Sequence, residues 1–219
     1  MLTHIRRSEK VFNMKRLLLI LILTLSFQSW TKADDIRDFE IEGMSIGDSL
    51  LNFYSENEIK KKINSYLDKG FIYKSKDYYS ITFNEAEILN LESYNQIQFD
   101  IKNKDNKYII SSISGIKKYQ NDIEKCYSLI DTIEDELDIL FKDTTETKGN
   151  KKKRKHVYDK SGESTTTDIY YWLKDKSSVA IVCTDWSNDM IKKHSSWFDH
   201  LRLTIHSSEF SAWFESKAY

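Results

Sequence analysis

Proline is absent from all 219 residues, where average usage near 5% would give about ten. With the abundance of Lys, Ile, Asn, Asp, Ser and Tyr, this matches the bias of AT-rich coding and implies no structural rule. Six glycines supply no visible phosphate-cradling loop, so nucleotide chemistry has no anchor here. Cysteine occurs twice, at Cys126 and Cys183, and neither follows an apolar core closely enough to be lipidated. Only one long apolar run exists, Leu17 to Phe27, and its 11 residues fall short of the roughly 20 needed to span a bilayer.

That run is nevertheless informative. Met14-Lys15-Arg16 precedes it, polar Gln28 and Ser29 end it, and Thr31-Lys32-Ala33 closes with small residues around a cleavage point after Ala33. These are the three parts of a secretory signal peptide. Residues 1–33 are therefore expected to be removed, with Met14 a better-proportioned start than Met1, and the expected location is periplasmic or secreted. What remains holds 27 bases against 33 acids, a net charge of −6. An acidic exported chain has no bulk attraction for nucleic acid or anionic lipid, although a local patch can contradict the average. No permanent membrane anchor is expected after cleavage.

An oxidising compartment makes Cys126–Cys183 the expected disulfide. Cys126 lies on the apolar stripe Ile123, Cys126, Ile130, Ile133, Leu137, Leu140, which has helical spacing over Asn121 to Lys142. Cys183 ends a run from Val179 that is apolar on both alternating faces, as in a central strand. The alternative is two separate buried thiols.

Residues 34–219 suit one α+β domain. Phe39 and Ile41 alternate before a turn at Gly43. A short helix is expected from Ile46 to Tyr54, capped by Ser45, and a second from the capping box Ser55-Glu56-Asn57-Glu58 to Gly70. An antiparallel meander follows, with hairpins pairing Phe71–Lys74 with Tyr78–Phe83 and Gln96–Lys102 with Lys107–Ile113. The long central helix comes next, then a polar loop at 143–155. Strands Thr167–Lys174, Ser178–Thr184 and Trp197–His206 precede a closing helix, Ser208–Lys217.

Gly47-Asp48-Ser49-Leu50 resembles the first block of the GDSL hydrolases, and Gly43-Met44-Ser45-Ile46-Gly47 matches the Gly-x-Ser-x-Gly elbow. That resemblance implies Ser49 as nucleophile, with His194 or His200 as base. The family's Gly-x-Asn-Asp and Asp-x-x-His blocks are missing, and the preceding Asp38-Phe39-Glu40-Ile41-Glu42 is too charged for a buried parallel strand. The simpler reading makes these serines helix-capping and margin residues.

His194, His200 and His206 form a regular series. Two of them on one strand, six residues apart, stand roughly 20 Å from each other, too far to share a metal. They are expected at the surface, and no metal or cofactor site is expected. The run Lys151 to Lys155 lacks interleaved aromatics and is expected to be a solvated stretch, not a nucleic-acid site. Tyr170, Trp172, Trp186, Trp197 and Trp213 are core candidates. A ligand role would put a cleft beside Trp172 or Trp186.

The stretch Asp38 to Leu51, Lys107–Ile110 through Lys125-Cys126-Tyr127, and Cys183-Thr184-Asp185-Trp186-Ser187 with Asp199-His200-Leu201-Arg202 resemble a group of uncharacterised exported proteins of marine bacteria. The resemblance implies an exported bacterial domain and no mechanism. Gly43-Met44-Ser45 leading to two short helices and a meander is also similar in layout to the outer-membrane assembly lipoproteins related to β-lactamase inhibitor proteins. The readings left are an exported non-enzymatic protein that binds another envelope protein or component, a GDSL-type hydrolase, and a small-ligand binder with an aromatic cleft.

Overall fold

The computed structural model describes residues 35–68, 73–85, 91–120 and 122–218. The signal segment 1–33, the stop at Gly70, residues 71–72 and the helix start at Asn121 lie outside the described residues. The expected hairpin of 71–74 with Tyr78–Phe83 is corrected: Tyr73 and Lys74 are not in strand, Lys74 N–H donates to the Ala218 carbonyl, and Tyr78–Asn84 pairs with Gln96–Lys102 instead.

The fold is α+β, with four α-helices and an eight-stranded antiparallel sheet among the described residues. A small hairpin comes first, β1 (Glu40–Ile41) and β2 (Met44–Ser45). Its two-residue turn needs left-handed backbone at both positions, and Glu42 (φ 53°) and Gly43 (φ 74°) provide it.

The expected helix from Ile46 to Tyr54 is not formed. Gly47 and Leu50 donate to the carbonyls of Ile110 and Tyr108, and Ile110 donates back to Asp48. This extended pairing consumes the backbone that a helix would need, leaving only a 3-10 turn at Leu50–Asn52. Ser45, expected as a cap, is instead buried in β2. Only one of the two short N-terminal helices therefore exists, α1 (Glu56–Asp68), with its capping box closed by Ser55 N–H donating to Glu58 at 2.8 Å.

The large sheet is built from β3 (Tyr78–Asn84), β4 (Gln96–Lys102), β5 (Ile110–Lys118), β6 (Thr145–Lys148), β7 (Lys152–Lys155), β8 (Thr165–Leu173), β9 (Ser178–Asp185) and β10 (His200–His206). Its order is β3-β4-β5-β10-β9-β8-β6, with β7 also on β8. Register carries one row of side chains across the first face, Ile81, Phe99, Ile113, Ile205, Val179 and Tyr171. All six are under 3% exposed, so this face is the main core. α1 covers β3, and α2 (Ile123–Leu140) lies on β9 and β10 with Cys126, Ile130 and Leu137 inward. Cys126 and Cys183 are bonded, Cα atoms 6.0 Å apart and both wholly buried. Gly115 has no side chain because Tyr94 lies over it, where a Cβ would meet the ring at 2.6 Å.

The second face carries the row Ser80, Asp100, Ser112, His206, Ser178 and Trp172. It reads as polar in sequence, yet α4 (Ser208–Lys217) packs on it. Phe210 and Trp213 join Tyr73 and Tyr78 in a second core, and Ser211 meets Ser178 at 2.9 Å. The expectation of surface histidines is therefore corrected. His206 is half-buried between Ser178 and the rings of Phe210 and Phe214, and His200 is half-buried with Nδ1 2.8 Å from the Phe198 carbonyl.

The polar loop expected at 143–155 is also corrected. Thr145–Lys148 and Lys152–Lys155 both pair with β8 as a broken edge strand. An edge strand beside solvent needs no apolar face, and lysine is a common edge residue because it discourages pairing with other chains. Periodicity could not find it.

Candidate functional site

Chemistry-bearing side chains gather at the end of the sheet where β9 runs out and β10 begins. Ser187, just after β9, caps the short α3 (Asn188–Lys193) through its hydroxyl. The turn that links β7 to β8 is folded around Asp159. Its carboxylate accepts from Ser161 N–H (2.9 Å) and hydroxyl (2.6 Å), Ser164 N–H (2.9 Å) and hydroxyl (2.6 Å), and the Ser187 hydroxyl (3.1 Å). These bonds all favour the charged form and hold the Asp159 carboxyl well below the usual range. The turn is thereby locked to the start of α3.

Beside the locked turn runs a line of rings in contact. His156 lies 4.0 Å from Trp186, Trp186 lies 4.1 Å from Trp197, and Trp197 stacks on His194 at 4.2 Å. Tyr158 approaches Trp197 at 6.5 Å. Trp186 and Trp197 are half-buried, so each keeps part of its surface in solvent. Burial holds His156 below its ordinary pKa.

Beside Trp186 opens a cleft of about 850 Å³ lined by Asp122, Glu124, Glu163, Asp185, Asp189 and Asp199, with Lys192 the one cation on its wall. Asp199 accepts the Trp186 N–H at 2.7 Å, and burial, reinforced by the Asp185 charge, raises its carboxyl. A second cleft of about 520 Å³ separates β6 and β8 from α4, and Trp172 borders it while donating to Glu215 at 3.1 Å. Both tryptophans singled out in the sequence thus border clefts, but Trp213 is a core residue of the second face.

The serine-hydrolase set is not brought together. Ser49 caps its 3-10 turn, and its hydroxyl donates to the Lys107 carbonyl at 2.6 Å. It sits opposite Ile109, at the start of β5, whereas His200 sits opposite Lys118, at the far end. Nine residues of strand separate those positions, roughly 30 Å. His194 belongs to the same distant end through Trp197. A general base must come within roughly 3 Å of its proton. Neither histidine does.

No family model, curated protein or solved structure matches the chain. Its function must therefore be argued from this geometry. Among the described residues no group of three or more His, Cys, Asp or Glu side chains could hold a metal ion, and no helix is long and apolar enough to cross a membrane.

Sequence reasoning missed the Asp159 clamp and α3. Both had local signals. Asp159-Lys160-Ser161-Gly162 is an Asx-turn sequence with Gly162 at φ 77°, and Ser187 precedes Asn188-Asp189 as an N-cap would.

Proposed function

We propose that the chain is an exported, non-enzymatic binding protein of the bacterial cell envelope, and that it binds an envelope component through the aromatic end of the sheet. One observation carries this reading. Trp186, which lines the acidic cleft, and its neighbour Trp197 stay half-exposed beside a turn that a buried carboxylate clamps to Ser187, an arrangement that costs polar burial and lies outside both cores. Half-exposed aromatics in a rigid setting are what interface hot spots are made of. The signal-peptide pattern of Met14 to Ala33 and the buried disulfide support export. The distance between Ser49 and both histidines argues against acyl transfer.

Retention from a detergent-solubilised envelope fraction of the producing cells tests this. The immobilised oxidised protein is expected to retain a defined component, and Trp197→Ala is expected to retain about tenfold less or worse, the loss of one hot-spot aromatic. Ser49→Ala and the exposed Leu67→Ala should retain it in full. Equal retention by the Trp197 variant would remove this surface from the reading.

A further inference from the structure

The ten residues from Lys151 to Lys160 hold six cations and one carboxylate, although residues 34–219 as a whole are acidic. The carboxylate is Asp159, already occupied by its serines. Lys151 is engaged with Asp131 and Glu134 on α2, and Arg154 with Asp168. Lys152, Lys153, Lys155 and Lys160 remain exposed, Lys153 over the Tyr127 ring at 5.1 Å. At the apex of the turn stand Val157, 85% exposed, and Tyr158, 62% exposed. They are adjacent large apolar residues that nothing covers among the described residues.

Lysines on an edge strand are accounted for by protection of the edge. That explains Lys152, Lys153 and Lys155, but not Lys160, and not an exposed Val-Tyr apex with two tryptophans behind it. We infer that this strand and turn dock the protein on an anionic lipid surface. Val157 and Tyr158 enter the headgroup region, and the lysines meet the lipid charges.

The chemistry fits in three respects. Tyr and Trp favour the membrane–water interface, where the ring is apolar and the polar atom stays wet. Clustered lysines are drawn to anionic headgroups over a range set by the Debye length. The Asp159 clamp fixes the turn in advance, so little ordering entropy is lost on docking. Glu163 is the carboxylate of this turn that opposes the field, and it lines the acidic cleft. The inference rests on the reading above and names the partner's chemistry.

Vesicle flotation of the processed, oxidised protein recovered from expressing cells tests it. The protein is expected to float with vesicles containing phosphatidylglycerol, to stay down with phosphatidylcholine alone, and to be released by high salt. Val157→Asp with Tyr158→Asp, and separately Lys155→Glu with Lys160→Glu, should each lower the bound fraction by about tenfold. All four positions are exposed, and an unchanged Tm confirms that each variant folds. No flotation with anionic vesicles overturns the inference, as does flotation indifferent to the apex variant. Binding to duplex DNA that matches the vesicle binding and ignores the apex also overturns it, leaving a simple polyanion site. If vesicles fail while Trp197-dependent retention persists, only the lipid inference falls; if both fail, the binding reading falls with it.

Discussion

Replacing both Cys126 and Cys183 by alanine is expected to lower stability by about 4 kcal/mol, the entropy that a cross-link of this span removes from the unfolded chain. The bond joins residues 57 apart. It fastens α2 to the central strand β9, and both sulfurs are inaccessible to solvent. Alanine leaves no polar group in their place, so the comparison isolates the cross-link together with a small loss of packing. For a domain of this size the fall in Tm is roughly 8–16 °C. Urea unfolding of the oxidised protein and the double variant measures it. A difference below about 1 kcal/mol would mean that the unfolded chain is already compact near these residues. Proteins made in a reducing cytoplasm should resemble the variant. Export and folding are thus coupled in the proposed function.

Acid is expected to loosen α4 before it unfolds the main core. Burial, reinforced by the charge of Arg202, holds His206 down to about 4, and His200 is held down to about 4 by the same two causes. In the unfolded chain both titrate near 6.5. Between those values the unfolded state binds protons that the folded state refuses. Stability therefore falls as pH drops from about 6.5 to 4 and is fully present only above that window. With a discount for partial solvent access, His206 accounts for about 2 kcal/mol.

Asp100, on the same row and bonded by the Tyr73 hydroxyl at 2.9 Å, works in the opposite sense. Its carboxyl is raised by burial, so it keeps its proton longer when folded and offsets part of the loss. Lower still, the depressed carboxyls of Asp159, Glu134 and Asp138 give up their contribution as they protonate. Near-UV circular dichroism reports Trp213, Tyr73 and Tyr78, which pack around Phe210 of α4. Its signal should decline between about pH 6 and pH 4, and His206→Gln should flatten that decline. An identical pH profile in the variant would assign the acid sensitivity elsewhere.

Much of the fold was legible because burial prints a period on the sequence. The α2 stripe, the strands β8 and β9 and the closing α4 all lie where alternation or helical spacing put them. The disulfide followed from two such stripes being able to meet. What failed were segments whose conformation is set by a distant partner. Ile46 to Tyr54 has helical apolar spacing, but Tyr108 and Ile110 capture the backbone of Gly47 to Leu50. Lys152–Lys155 has no apolar residue, yet β8 recruits it. His206 reads as solvent-facing until α4 arrives from the far side of a tight turn.

The site was half legible for the same reason. The ligand reading put a cleft beside Trp172 or Trp186, but the line of His156, Trp186, Trp197 and His194 joins the turn after β7 to the residues beyond β9, which no local pattern announces. Ser49 shows the converse. A four-residue motif can be present in full while its required base lies at the other end of a strand.

Hydrogen–deuterium exchange of the oxidised protein, with and without solubilised envelope membranes, tests the proposed binding surface most directly. Protection is expected at residues 153–164 and 186–199, the turn and the aromatic line, with residues 45–52 around Ser49 unchanged. Protection centred on 45–52, or none at either place, would contradict it.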